Sequence, residues 1–197
     1  MTSFYYTFSS CKNLKIIGNY SFANCSKIAS ISNIFSYNYN IEKIGNGLFS
    51  GCTSLTSFSN TFSSCKNLTS IPSDMFNNCL AVKSFSNTFS NCTSLSSIPT
   101  GLFDSCTAVT DFSNTFSGCT SLNSIPTGLF ANNTKVTNFS GTFKNCYSLR
   151  SIPIDNDGTA IYNRTNKDGY SNVTSSTSCF YDWYYYDDYL NIPISWR

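Results

Sequence analysis

The chain has 197 residues, 41% hydrophobic and 16% aromatic, enough apolar material for one large domain or a stacked array of repeats. Only 11% of residues are charged and the net charge is +2, which argues against nucleic acid or an acidic membrane as the partner. Histidine is absent, removing the commonest general base and metal ligand together.

The N-terminal residues lack the basic, apolar and small-residue order of a secretion signal. No apolar run reaches the ~20 residues of a membrane helix, so no membrane insertion is expected. A repeat then begins at Phe8. Phe recurs at 8, 22, 35, 49, 62, 76, 89, 103, 116, 130 and 143, in steps that alternate between 14 and 13. A Cys follows three residues later, an aliphatic residue six later, and Ile or Phe nine later. Phe62–Cys65–Leu68–Ile71 and Phe103–Cys106–Val109–Phe112 are examples. Phe76–Cys79, Phe89–Cys92 and Phe116–Cys119 continue the same ladder.

A step of three fits neither a helix nor a strand, but a 3₁₀-like turn points residues i and i+3 the same way. The first two slots are therefore expected on tight turns, and the last two on short extended pieces. Pro72, Pro99, Pro126 and Pro153 stand 27 apart, each after an Ile, so alternate units differ and one full coil is two units. That predicts about five and a half coils over residues 1–153, roughly 26 Å long at ~4.8 Å per strand spacing.

The Cys spacing of 13 or 14 matches neither a zinc site nor a small disulfide framework. Asn38 and Asn133 occupy two of the Cys slots. Asn can stand in for a small buried turn residue but not for half of a disulfide, so the ladder is read as packing.

The strings VTDFSNTFSGCTSLNSIP (109–126) and VKSFSNTFSNCTSLSSIP (82–99) resemble the BspA-like leucine-rich repeats of bacterial surface proteins. The resemblance implies a right-handed leucine-rich-repeat-type solenoid with short parallel strands, and a non-enzymatic role in adhesion or recognition. It does not carry a ligand over. A neighbouring domain or a partner chain is expected to cover the N-terminal end, because a solenoid needs its open coil closed.

Residues 154–197 differ in kind. Residues 1–154 hold nine Lys/Arg against four Asp/Glu, while residues 155–197 hold three against six. The run Asp155–Asn156–Asp157–Gly158 begins like an acidic calcium loop, but Asn166 stands where its closing Glu belongs, so it reads as a polar turn. Phe180, Tyr181, Trp183, Tyr184 and Tyr185 crowd the last stretch, read as an irregular aromatic cap with a possible ligand-binding face.

Inside the repeats two columns vary while the anchors hold: Tyr39, Lys66, Thr93, Thr120, Tyr147, and Glu42, Thr69, Ser96, Asn123, Arg150. They are expected to face outward, with Tyr39, Lys66, Tyr147 and Arg150 as candidate ligand contacts. No nucleophile–base set can be assembled, and neither a cofactor nor a metal is expected. The function expected is adhesion to a protein or glycan receptor, from an extracellular or cell-surface position. A receptor-binding component of a bacteriophage virion and a protein scaffold are the alternatives.

Overall fold

The computed structural model describes residues 3–154, 156–162, 173–180 and 192–197. The step of three in the sequence is a hydrogen-bond pattern in the backbone. The N–H of Thr61 donates to Phe58 O, Ser63 to Asn60, Cys65 to Phe62 and Leu68 to Cys65, each bond spanning three residues. Such turns would wind into a 3₁₀ helix if every residue were right-handed. Asn60 and Ser64 instead adopt φ of 56° and 64°, and each left-handed residue turns the following peptide over.

The amides of Phe58, Asn60, Phe62 and Ser64 consequently all point along the solenoid axis. They donate to the carbonyls of Ser84, Ser86, Thr88 and Ser90 of the next coil at 2.9, 2.9, 2.8 and 2.7 Å. The coil after repeats this from Phe85, Asn87, Phe89 and Asn91. The left-handed place before each Phe is held by Asn33, Asn60, Asn87, Asn114 and Gly141, residue types that tolerate it.

Extended structure is shorter than the sequence pattern suggests. Strand β1 (Ile16–Ile17) pairs in parallel with β2 (Lys43–Ile44), with Ile16 opposite Lys43. Farther along, the described residues form single-residue parallel bridges, such as Ser84 with Asp111 and Ser97 with Ser124. On the Phe-Ser side the Ser86 N–H is taken by Ser84 Oγ, and on the Ile side proline explains the difference. Gly45 donates its N–H to Ile17 O at 2.9 Å, and the same place in later coils is Pro72, Pro99, Pro126 and Pro153, which have no N–H to give.

The core is a set of stacked aromatic columns. Phe35, Phe62, Phe89, Phe116 and Phe143 lie face to face in sequence, with centroids 5.5 to 5.7 Å apart and planes within 15°. Phe58, Phe85, Phe112 and Phe139 form a second column at 5.3 to 5.9 Å. Phe76, Phe103 and Phe130 form a third, tilted between the other two.

Residues 173–180, which the sequence reading assigns to the C-terminal segment, extend the ladder by another coil. Thr174 donates to Thr137 O, Phe139 to Ser175 O and Phe143 to Cys179 O. Phe180 stacks on Phe143 at 6.1 Å. Trp196, on the 3₁₀ turn Ile194–Trp196, then lies 6.2 Å from Phe180 and 5.8 Å from Phe139.

Candidate binding surface

All ten cysteines are free thiols. In the ladder each buried S–H reaches a carbonyl in the preceding coil: Cys65 to Phe35 O at 3.4 Å, Cys92 to Phe62 O at 3.3 Å and Cys119 to Phe89 O at 3.2 Å. Asn38 and Asn133 make the same reach with their amides, to Phe8 O at 2.6 Å and Phe103 O at 3.2 Å. Burial pushes the Cys65 and Cys79 thiols up to about 12, and holds Cys92 and Cys119 well above the usual thiol range. A thiol kept protonated is a poor nucleophile and a poor metal ligand, so these positions pack rather than react. Among the described residues, no group of three or more Cys, Asp and Glu could hold a metal ion.

A second buried column bonds a different set of Phe carbonyls. Thr88 Oγ1 lies 2.6 Å from Phe85 O and 2.9 Å from Phe58 O, and Thr115 and Thr142 repeat the arrangement.

The two variable columns do face outward. Tyr39 and Tyr147 are 50% and 56% exposed, and Lys66, Glu42 and Arg150 are exposed as well. Lys66 lies one coil beyond Tyr39 and sets its Nζ over that ring, 5.0 Å from the centroid, a cation–π contact. Glu42 meets Lys15 of the preceding coil at 3.6 Å. Tyr147 stands four coils from Tyr39, about 19 Å away at ~4.8 Å per coil. The columns thus bring Tyr39 and Lys66 together at one end, and place Tyr147 and Arg150 at the other. Between them, Thr93 and Thr120 turn their hydroxyls back onto Lys66 O and Thr93 O at 3.3 Å each.

Tyr181, Trp183, Tyr184 and Tyr185 lie outside the described residues. Near the calcium-like run, the Asp157 carboxylate accepts the Thr159 N–H at 2.9 Å, the bond of a polar turn.

The sequence reading overlooks four exposed tyrosines in the first two coils: Tyr5, Tyr6, Tyr20 and Tyr37. Tyr5 and Tyr6 meet edge to face at 4.5 Å, and a hydrogen bond with Tyr5 raises the Tyr6 hydroxyl above its ordinary range. A signal was available. Tyr6, Tyr20 and Tyr37 are left-handed, at places where later coils carry Asn60, Gly101 and Asn91. A bulky residue kept in such a place marks a position not chosen for backbone comfort.

Stacked 27-residue coils with an inward Phe–Cys–aliphatic frame and short parallel bridges define a leucine-rich-repeat-type solenoid. The chain belongs to the BspA type leucine-rich repeat family, whose repeat region matches in six copies over residues 15–173. No curated protein matches the chain. Among solved structures it is similar to a leucine-rich repeat protein of T. pallidum, with 21% identity over 73% of this chain and a TM-score of 0.31. It is also similar to one of Bacteroides ovatus, at 23% identity over 71% of this chain with a TM-score of 0.24. A leucine-rich cell surface protein of Faecalibacterium prausnitzii is 19% identical over 81% of this chain, with a TM-score of 0.26. The matches span 63%, 34% and 68% of those three proteins.

Proposed function

We propose that the chain is a non-catalytic recognition module that binds a protein or glycan receptor at a cell surface. The contacts assigned to the ligand are the outward columns carrying Tyr39, Lys66, Tyr147 and Arg150. The observation that carries this reading is the Lys66–Tyr39 pair, an exposed aromatic ring and cation fixed on a rigid ladder. Membership of a repeat family built for extended binding surfaces supports the same reading. In it, residues 1–153 present the surface and residues 154–197 close the stack, with Trp196 against Phe180 as the supporting contact.

The experiment is binding of the labelled chain to a glycan array and to intact bacterial and animal cells. A variant with Tyr39→Ala, Lys66→Ala, Tyr147→Ala and Arg150→Ala is run beside it. Selective binding by the parent chain, lost in the variant while circular dichroism is unchanged, is the expected result. Equal binding by the two chains overturns the assignment to these columns.

A further inference from the structure

We propose that the N-terminal half of this outer stripe takes an acidic polysaccharide, one bearing repeated carboxylates or sulfates. The proposal rests on the recognition reading above and names its ligand class. Lys12, Tyr39 and Lys66 are one column at 27-residue spacing, a cation on either side of an aromatic ring. Lys15 and Lys43 are exposed in the neighbouring positions of the repeat, Lys15 just before β1 and Lys43 on β2, which buries Ile44. Residues 1–66 hold five Lys and a single acidic residue, Glu42, a net of +4. Residues 67–154 hold four Lys/Arg against three Asp, a net of +1, and the same column there reads Thr93 and Thr120. Lys27 lines a cleft elsewhere on the coil, and the other four Lys still leave positive charge concentrated at one end of the stripe, where the one carboxylate, Glu42, is paired with Lys15.

The form of the site favours a sugar chain over an acidic protein. Protein hot spots sit in desolvated pockets, and this stripe is a flat ladder of exposed side chains. The cleft lined by Phe4, Cys25 and Ile28 belongs to another part of the coil. Lys12 and Lys66, two coils apart, are separated by about 10 Å along the axis at ~4.8 Å per coil. Lys66 leans back over Tyr39, so its charge lies nearer Lys12 than the backbone spacing, and an extended polysaccharide, which advances about one coil spacing per sugar, runs its repeated charges alongside both. Lys66 covers one face of the Tyr39 ring, and the part of the ring left exposed offers an apolar contact to the C–H side of a sugar. Charge complementarity of this kind is screened by salt, which gives the proposal a signature of its own.

The test uses the full chain and an oligomer of alternating uronic acid and neutral sugar. Its carboxyl-reduced neutral form and polyglutamate serve as comparison probes. The expected result is binding to the uronate oligomer that weakens as salt rises, and a loss of about tenfold in Lys12→Gln/Lys66→Gln. Lys83→Gln/Lys135→Gln removes the same charge from other columns and is expected to bind as the parent does. Four results overturn the proposal: no binding to the uronate oligomer, equal loss in both double variants, salt-independent binding of the neutral form, or tighter binding of polyglutamate. A lower melting temperature for the Lys12/Lys66 variant with unchanged affinity would also overturn it, giving the lysines a structural role. Loss of receptor binding in Tyr39→Ala, with these lysines dispensable, would sink the acidic-sugar proposal alone and leave the recognition reading in place.

Discussion

The first coil and the middle coils carry the same frame and have different cores. Phe89 is fully buried, with Phe62 on one side and Phe116 on the other, each at 5.6 Å. Phe8 holds the same place in the repeat but stacks only on Phe35, and remains 38% exposed. Cys92 and Cys119 are buried, while Cys11 and Cys25 are half-buried. No coil therefore owns a core: the interior of each is supplied by its neighbours, and a residue's energetic weight depends on its place along the stack. Stability and exposure should grade from end to middle, and each prediction below tests that gradient.

The largest effect is expected from alkali. The middle-coil thiols Cys65, Cys79 and Cys146 are pushed up to about 12 by burial, and Cys92 and Cys119 are raised as well. In the unfolded chain a thiol ionises near about 8.5. Below that pH both states are protonated and the fold is unaffected. Above it only the unfolded chain gains by losing protons, so stability falls as pH rises toward the folded values. Cys52, Cys106 and Cys179 are raised in the same way, and with each thiol withdrawing about 1.4 kcal/mol per pH unit in that window, the eight withdraw about 11 kcal/mol per pH unit together. Against a typical total of about 5–15 kcal/mol, the fold should be lost between about pH 9 and 10. Circular dichroism against pH checks this, and a chain still folded at pH 12 would contradict it. In Cys92→Asn the slope should flatten by about 1.4 kcal/mol per pH unit, whatever that substitution costs at neutral pH.

Replacing the ring at equivalent places comes next. Phe89→Ala should cost about 3–5 kcal/mol, because both stacking faces are lost and rigid neighbours cannot fill the space. Phe8→Ala should cost less than about 1.5 kcal/mol, since that ring is already part-exposed and has one stacking partner. Urea unfolding of the two variants measures the gap. Equal costs would mean that the end coil is as well packed as the middle.

The inward frame was legible in the sequence because an anchor repeated at fixed spacing reports a shared environment. Phe62, Cys65 and Leu68 turn inward at a step of three, and the backbone bonds of the turns span that same step. The outward direction of Tyr39, Lys66, Tyr147 and Arg150 was legible too, as the variation released when packing no longer constrains a column. What was not legible lies mostly in the backbone. Left-handed Asn60 and Asn87 align the amides between coils, yet in the sequence they pass for ordinary turn polarity. The Thr88 column escaped notice because its hydroxyl faces the interior, against the usual placement of Thr. The return of the ladder at 173–180 was hidden by its offset from Phe143 to Phe180, which is 37 residues where every earlier coil has 27.

The smallest predicted effect concerns those left-handed residues. Asn87 has φ of 55° and donates its amide to Ser113 O at 2.9 Å, one of the bonds that join coils. Asn87→Ala keeps the backbone amide but loses the short polar side chain, which bonds locally to Ser86 Oγ at 3.0 Å and makes the left-handed region tolerable, at a cost of about 1 kcal/mol. Asn87→Gly should change stability by only a few tenths of a kcal/mol, since Gly141 already fills the same place farther along the stack. At the first coil the place is taken by Tyr6, also at φ 55°. If the end carries little of the stability, Tyr6→Asn should gain less than Asn87→Ala loses, although both exchanges swap a tolerant residue with an intolerant one. Thermal melts of the three variants decide the matter. A gain at Tyr6 as large as the loss at Asn87 would show the first coil folding with the middle ones as a single unit.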